Sequence, residues 1–326
     1  MNKLIVLSLV AFSALSAQQP LSQDNRSTPV FRVTVSARTT KAVSYQHRSG
    51  STKIDFAGTD LLPVARGEAR VESKQGRIQI EAEFNNLQPA TKYGAEFLTY
   101  VLWAVTPEGR TANLGEVLLN GTKGKLNVTT DLQVFGLVVT AEPYYAVTRP
   151  SDLIVMENAV RGDTVGKIEI VDAKYELLQR GHYDRLANPL ELRTDKKQPL
   201  ELYQARNAVQ IARAVGADRF AAETFLKAEK SLAQAEAYQA RKAGQKPVTM
   251  TAREAVQMAE DSRVIAIKRH EDDALTAKRQ QSSDREADAR SDTDRVTRDA
   301  EAARVKAQAN TVRMMQAQEA QRLAAL

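Results

Sequence analysis

Apolar and polar positions repeat with two different periods along this chain, and the change falls near Pro199. Before it, β-branched and aromatic residues alternate with polar ones between Gly, Pro and Asn. Phe31-Arg32-Val33-Thr34-Val35 alternates with period two, the pattern of a half-buried strand. Gly67 to Ser73 and Arg77 to Phe84 predict a hairpin turning at Lys74-Gln75-Gly76. Further strands are predicted at Phe97 to Thr106, Gly115 to Leu119, Gly124 to Thr129 and Val134 to Ala141. Lys167 to Leu177 predicts one more, leading out of the β region. Pro107 and Gly109 mark a turn between two apolar runs, one fixing φ and the other permitting a positive value. Short strands at this spacing predict an antiparallel β-sandwich over residues 25–178. Trp103, the only tryptophan, lies in its most apolar strand and is expected to anchor the core.

After Pro199 the period becomes helical. Leu202, Ala205, Val209 and Ala212 follow 3-4-3 spacing and end near Gly216. Asp218 is placed to cap a second helix, in which Ala221, Phe225, Ala228, Leu232 and Ala235 line one face before Gly244 and Pro247 stop it. Thr249 or Thr251 is placed to cap a third, carrying Ala252, Ala255, Ala259, Ser262 and Ala266. These stripes predict an α-helical hairpin or three-helix bundle over 199–270, joined to the β domain by a linker over 179–198. From Val248 onward there is no Gly or Pro, so a charged long helix is predicted over 271–326. Its stretch from Glu271 to Arg295 carries almost no apolar stripe and intersperses Arg with Asp and Glu, as an exposed single helix does; disorder is the competing expectation there, since such a composition buries little. The stripe returns at Val296, Ala300, Ala303, Ala307, Met314 and Ala317, which predicts packing on a second copy (a coiled coil) or on a further domain.

The N-terminal residues bear on compartment. Lys3, the apolar run Leu4 to Phe12 and the small residues Ser13 to Ala17 predict a cleaved signal peptide over 1–17, with a mature end at Ala17 or Gln18. The run is shorter than the ~20 residues needed to span a bilayer, and no later stretch is more apolar, so no transmembrane span is expected in the mature chain. The 326 residues contain no cysteine, which excludes disulfides and thiol chemistry. The formal net charge of +6 is spread among alternating acids and bases rather than gathered on one face, so no nucleic-acid partner is expected.

Catalytic and metal patterns fail on residue identity. His270-Glu271 begins like a zinc-protease helix, but Ala274 stands where the second histidine is required. Gly121-Thr122-Lys123-Gly124-Lys125 is too short for a phosphate loop and fits a hairpin turn. Glu271, Asp272 and Asp273 point in different directions on a helix. No enzyme, cofactor or metal site is therefore expected.

Some segments resemble known families. Asn86 to Tyr93 (NLQPATKY) resembles the loop by which fibronectin-type domains enter a strand with a buried tyrosine, which implies an Ig/fibronectin-like sandwich. Tyr100 to Arg110, Asn113 to Glu116 and Leu137 to Pro143 resemble the β-sandwich of anti-sigma-K-type factors. Ala217-Asp218-Arg219-Phe220, Ala228-Glu229 and Ala233-Gln234-Ala235 are similar to an Ala-rich helical-hairpin domain of envelope proteins. Their order resembles the N-terminal region of OmpA-family envelope proteins of the Acidobacteria type. In that family a peptidoglycan-binding α/β domain, with an Asp and an Arg for diaminopimelate, follows the charged helix. The residues up to Leu326 contain no such domain, so no binding residue is carried over.

The resulting expectation is an exported, periplasmic structural protein associated with the outer membrane. Its β-sandwich head would contact envelope proteins or surface polysaccharide, and its helix would act as spacer. The alternative is a ligand-binding or sensory module for glycan or peptide. For that role Tyr144 and Tyr145 are the candidate partner-binding pair, provided they are exposed; otherwise they pack at the end of the sandwich.

Overall fold

Alternating burial accounts for some of the strands, and burial on both faces for others. The computed structural model describes residues 38–45, 50–74, 76–159, 161, 172–175 and 198–324. The expected signal segment, the strand expected at Phe31 to Val35 and nearly all of the expected linker lie outside them. The strands are β1 (Arg38–Lys41), β2 (Val43–Ser44), β3 (Ser51–Gly58), β4 (Arg66–Lys74), β5 (Arg77–Asn85), β6 (Thr99–Val105), β7 (Thr111–Val117), β8 (Leu119–Asn120), β9 (Lys123–Thr130), β10 (Val134–Glu142), β11 (Ile154–Ala159) and β12 (Asp172–Tyr175). A 3-10 turn at Ala90–Tyr93 precedes β6. In β3 the buried residues are Thr52, Ile54 and Phe56, and in β5 they are Ile78, Ile80, Ala82 and Phe84. Each strand thus keeps one face in water. Every residue of β6 is buried, as is nearly every residue of β10, which explains their unbroken apolar sequences.

The expected hairpin is present, with Lys74 opposite Arg77 and Gly76 at a φ of 81°. Two facing sheets were expected. Instead one antiparallel path runs β7-β6-β10-β11-β3-β4-β5-β9-β8, with β2 paired to β10 and β1 paired separately to β12. The segment predicted at Lys167 to Leu177 supplies β12. In sequence β7 and β8, the two ends of the path, are separated only by Leu118, so the sheet curls until it is nearly a barrel. A Cβ built on Gly115 of β7 would lie 3.5 Å from the Leu126 side chain and 3.6 Å from that of Val128, both on β9. The interior holds Ile54, Phe56, Phe84 and Phe97, with the Phe56 and Phe84 rings 5.0 Å apart.

Trp103 is fully buried, as expected of a core anchor, and its Nε1 donates to Thr140 Oγ1 at 2.8 Å. Across β10 the chain passes so closely that Gly136 has no room for a side chain. A Cβ there would come 2.7 Å from the Lys41 carbonyl oxygen and 2.7 Å from Thr40 Cγ2. Gly136→Val is expected to cost about 1–3 kcal/mol, the usual range for forced overpacking. Urea unfolding measures it, and a loss under about 0.5 kcal/mol would show that the β1–β2 segment yields freely.

The helices are α1 (Leu200–Ala214), α2 (Ala217–Phe220), α3 (Ala222–Ala240) and α4 (Gln245–Ala324). α1 buries Leu202, Ala205, Ala208, Val209 and Ala212, the i, i+3, i+4 stripe of an amphipathic helix. Gly216, at a φ of 79°, ends it. Asp218 is not the expected cap: it lies inside the single turn α2, and α3 restarts after Ala221. Nor do Thr249 or Thr251 begin the third helix. α4 starts at Gln245, after Gly244 at a φ of 95°, and holds Pro247 in its first turn. There an N–H would have no helical acceptor, so proline is tolerated.

The stretch from Val248 to Ala266 packs its alanine stripe against α1 and α3, completing the expected three-helix bundle. Beyond it, every described residue of α4 from Glu271 to Ala324 is helical and exposed. That length is about 80 Å at about 1.5 Å per residue. Pro199, where the period changes, is no packing boundary: Val35–Leu326 forms one compact unit.

Candidate functional site

The loop from Pro143 to Leu153, between β10 and β11, is where helices and sheet meet. Two prolines, Pro143 and Pro150, keep it out of regular structure, so its backbone donors need side-chain acceptors. Carboxylates from two directions supply them.

The first is Glu260, fully buried on α4. Its Oε2 accepts from Tyr144 Oη at 2.7 Å and from Arg263 Nε at 2.6 Å. Its Oε1 accepts from the Thr148 N–H at 2.9 Å, Thr148 Oγ1 at 2.6 Å and Arg263 Nη2 at 2.7 Å. Arg263, one turn on and itself buried, thus grips the carboxylate with two parallel bonds, the strong geometry for this pair. Burial pushes the Glu260 carboxyl up. The Arg263 charge and the bonds from Arg263, Thr148 and Tyr144 together outweigh it, and the group sits below its ordinary range.

The second is Glu116 of β7, also buried. It accepts from Thr99 Oγ1 at 2.8 Å, Gln204 Nε2 at 2.5 Å and Arg253 Nη1 at 3.0 Å. Gln204 of α1 in turn accepts the Tyr145 N–H at 3.2 Å. The Arg253 guanidinium lies 3.7 Å from the centroid of the Tyr145 ring, and Tyr145 Oη donates to the Arg253 carbonyl at 2.9 Å. Both α1 and α4 are therefore tied to the sheet by charge-assisted bonds.

Behind them lies Glu142, the last residue of β10. Its Oε1 accepts from Thr140 Oγ1 at 2.5 Å and the Ser151 N–H at 2.7 Å, and Thr140 links it to Trp103. Its Oε2 is buried and makes no hydrogen bond among the described residues. Burial dominates here. Opposed by the Ser151 and Thr140 bonds but reinforced by the nearby Glu260 charge, it pushes the carboxyl up to about 8. Glu142 is accordingly a neutral acid over much of the physiological range.

Alongside the seam runs a shallow open groove lined by Asn113, Glu116, Tyr145, Thr148, Arg253 and Gln257. Asn113 Nδ2 already donates to the Tyr145 and Val147 carbonyls at 2.9 and 2.8 Å. Ser151 Oγ donates to the Ala141 carbonyl at 2.7 Å, so neither hydroxyl nor amide is paired with a base. His270 stacks edge-on against Phe220, 5.7 Å between centroids; His47 and His182 lie outside the described residues. Among the described residues no group of three His, Asp or Glu side chains converges as metal ligands would. The arrangement holds the loop, the sheet and the helices together.

The two tyrosines singled out from the sequence are brought together here, but as an internal joint. Tyr144 is fully buried and Tyr145 half-buried, both held by α4. Val296, Ala300, Ala303, Ala307, Met314 and Ala317 all lie exposed on α4, far along the chain from this seam. Glu116, Glu142, Glu260 and Arg263 were not anticipated. One signal was available: Arg263 adjoins Ser262 of the stripe, four residues after Ala259 and three before Ala266, so a charged side chain falls at the edge of the face that the stripe buries.

Comparison with family models, with curated proteins and with solved structures finds no match to this chain. Among the described residues no helix is long and apolar enough to cross a membrane.

Proposed function

We propose that the chain is a non-enzymatic structural protein of the cell envelope, a spacer whose β unit is the head and whose α4 sets a distance. The observation that carries this reading is the continuity of α4. One helix runs from the buried Glu260–Arg263 clasp into the long exposed segment ending at Ala324 without a break. A rod that leaves its base through a buried, charge-paired joint keeps a fixed direction relative to the head. The export signal read at residues 1–17, the resemblance to OmpA-family envelope proteins and the outer-membrane association belong to the same proposal. The engagement of Tyr144 and Tyr145 by α4 favours a spacer over a glycan-binding module, since stacking on a sugar needs a free aromatic face.

The test has two arms. Cell fractionation of the tagged chain should place it in the envelope with its N-terminus at Ala17 or Gln18; recovery from the cytosol with Met1 intact would defeat the envelope role. Spin labels on cysteines replacing Lys278 and Arg298, in labelled chain diluted with a large excess of unlabelled chain, should show one narrow distance near 30 Å, from about 1.5 Å per residue. A broad distribution of distances would defeat the rod.

A further inference from the structure

Large apolar side chains in water cluster at one end of α4. Val296, Val305, Val312, Met314, Met315 and Leu323 are all more than half exposed, against Leu275 alone between Glu271 and Arg295. No described element packs on this end, because α4 meets α1, α2 and α3 only through its buried base. We propose that residues from Val296 to Ala324 pair with the same segment of a second copy, as a parallel, in-register two-stranded coiled coil.

The spacing comes first. Val296, Ala300, Ala303, Ala307, Asn310, Met314 and Ala317 follow one another at 4-3-4-3-4-3 intervals. That repeat averages 3.5 residues and stays on one face only if two helices wind left-handedly around each other. Carried upstream, the same positions fall on Thr293, Ala289, Glu286, Ser282 and Arg279, too polar to form a seam. Pairing therefore begins near Val296, and the charged stretch before it stays single.

Charge sets the direction. In a parallel pair the side chain flanking the seam at Asp299 reaches Arg304 of the second copy, five residues on, and symmetry makes this attraction twice. The next flanking pairs, Lys306 with Thr311 and Arg313 with Gln318, contain no like charges. Asn310 sets the register: in step, its amide meets the same amide across the seam and both are satisfied. Out of step it would be buried against alanine at a cost. Alanine lets the two axes approach closely but buries little area, so the pair forms reversibly. Of the six large apolar side chains, the seam takes in Val296 and Met314; Val305, Val312, Met315 and Leu323 fall off it and stay in water in this arrangement. The inference depends on the exposed face of α4 and holds whether or not the envelope role does.

The absence of cysteine makes the test direct. In the full chain, Ala303→Cys alone and Ala317→Cys alone should each give a disulfide-linked dimer on mild oxidation, while Gln308→Cys, off the seam, should not. Sedimentation of the unmodified chain should show a concentration-dependent monomer–dimer equilibrium. Val296→Glu with Met314→Glu, both at exposed positions, should weaken it at least tenfold without changing the helical signal of the folded unit. Cross-linking only when the Ala303→Cys and Ala317→Cys chains are mixed would mean antiparallel pairing and overturn the proposal. Monomers at every concentration, or particles larger than dimers, would also overturn it.

Discussion

Arg263→Ala is expected to lower the stability of the folded unit by about 3–5 kcal/mol, the usual cost of stranding one member of a buried ion pair. The alanine removes two of the five hydrogen bonds on the Glu260 carboxylate and the positive charge that offsets its burial. The remaining donors, Tyr144 and Thr148, are neutral, and the carboxyl must take up a proton or stay charged without a counterion. The loss should depend on pH in a definite direction. In the intact protein the Glu260 carboxyl titrates below its ordinary range, so its contribution is present above the unfolded-state value and fades as pH falls through the folded one. Removing Arg263 therefore costs most near neutrality and progressively less in acid. Arg263→Lys, which keeps the charge but not the fork, should fall between. Urea unfolding at pH 7 and pH 4 provides the measurement. A loss below about 1 kcal/mol at pH 7 would mean that water reaches Glu260 and that the joint is open.

The second large effect has the opposite slope. Glu142 has a folded value pushed up to about 8 from an ordinary 4.5. Below the ordinary value the acid is protonated in both states and its neutral burial is fully compatible with folding. Between the two values the unfolded chain releases the proton while the folded one retains it, so stability drains away as pH rises. At 1.36 kcal/mol per unit the loss by pH 8 is about 4 kcal/mol. Glu142→Gln removes the titration while leaving an oxygen for Thr140 and Ser151. The amide nitrogen then occupies the buried position of Oε2, at a cost of about 1–3 kcal/mol that does not vary with pH. The slope is therefore the diagnostic. Stability of the Glu142→Gln variant relative to the unmodified chain should rise steadily from pH 4.5 to pH 8, and parallel curves would show that Glu142 is solvated. Together the two carboxyls predict greatest stability in mildly acidic solution.

Much of the framework is legible from local pattern because burial imposes a period. β4, β5, β6, β9 and β10 lie where alternation or an unbroken apolar run placed them, and so do α1, α3 and the alanine stripe of α4. β3 escaped because its buried face begins with Thr52 and its exposed face carries Lys53 and Asp55, which dilutes the apolar signal in eight residues. β11 is only six residues long, and three of its first four positions are apolar before the pattern breaks at Glu157 and Asn158. Its insertion between β10 and β3 is what merges two expected sheets into one path, and that pairing joins segments about a hundred residues apart. The seam was hidden for a related reason. Glu260 and Arg263 have the spacing of an ordinary surface pair on a helix. What buries them is a loop more than a hundred residues earlier.

The near-closure of the sheet carries a consequence for crowded conditions. An open sheet offers a row of unpaired backbone groups onto which a strand from another molecule can zip, the usual start of disordered clumping. Here one end of the path is β8, two residues long and paired only with Lys123 and Gly124, and the rest of that edge of β9 is covered by β7 rather than open to water. The other end, β7, lies against the side chains of Leu126 and Val128, with Gly115 facing them. The charged Lys123 and Lys125 of β9 flank that opening. Molecules held at high density beside one another therefore have little backbone to share. The β unit can be packed tightly on a surface and still remain a collection of separate particles.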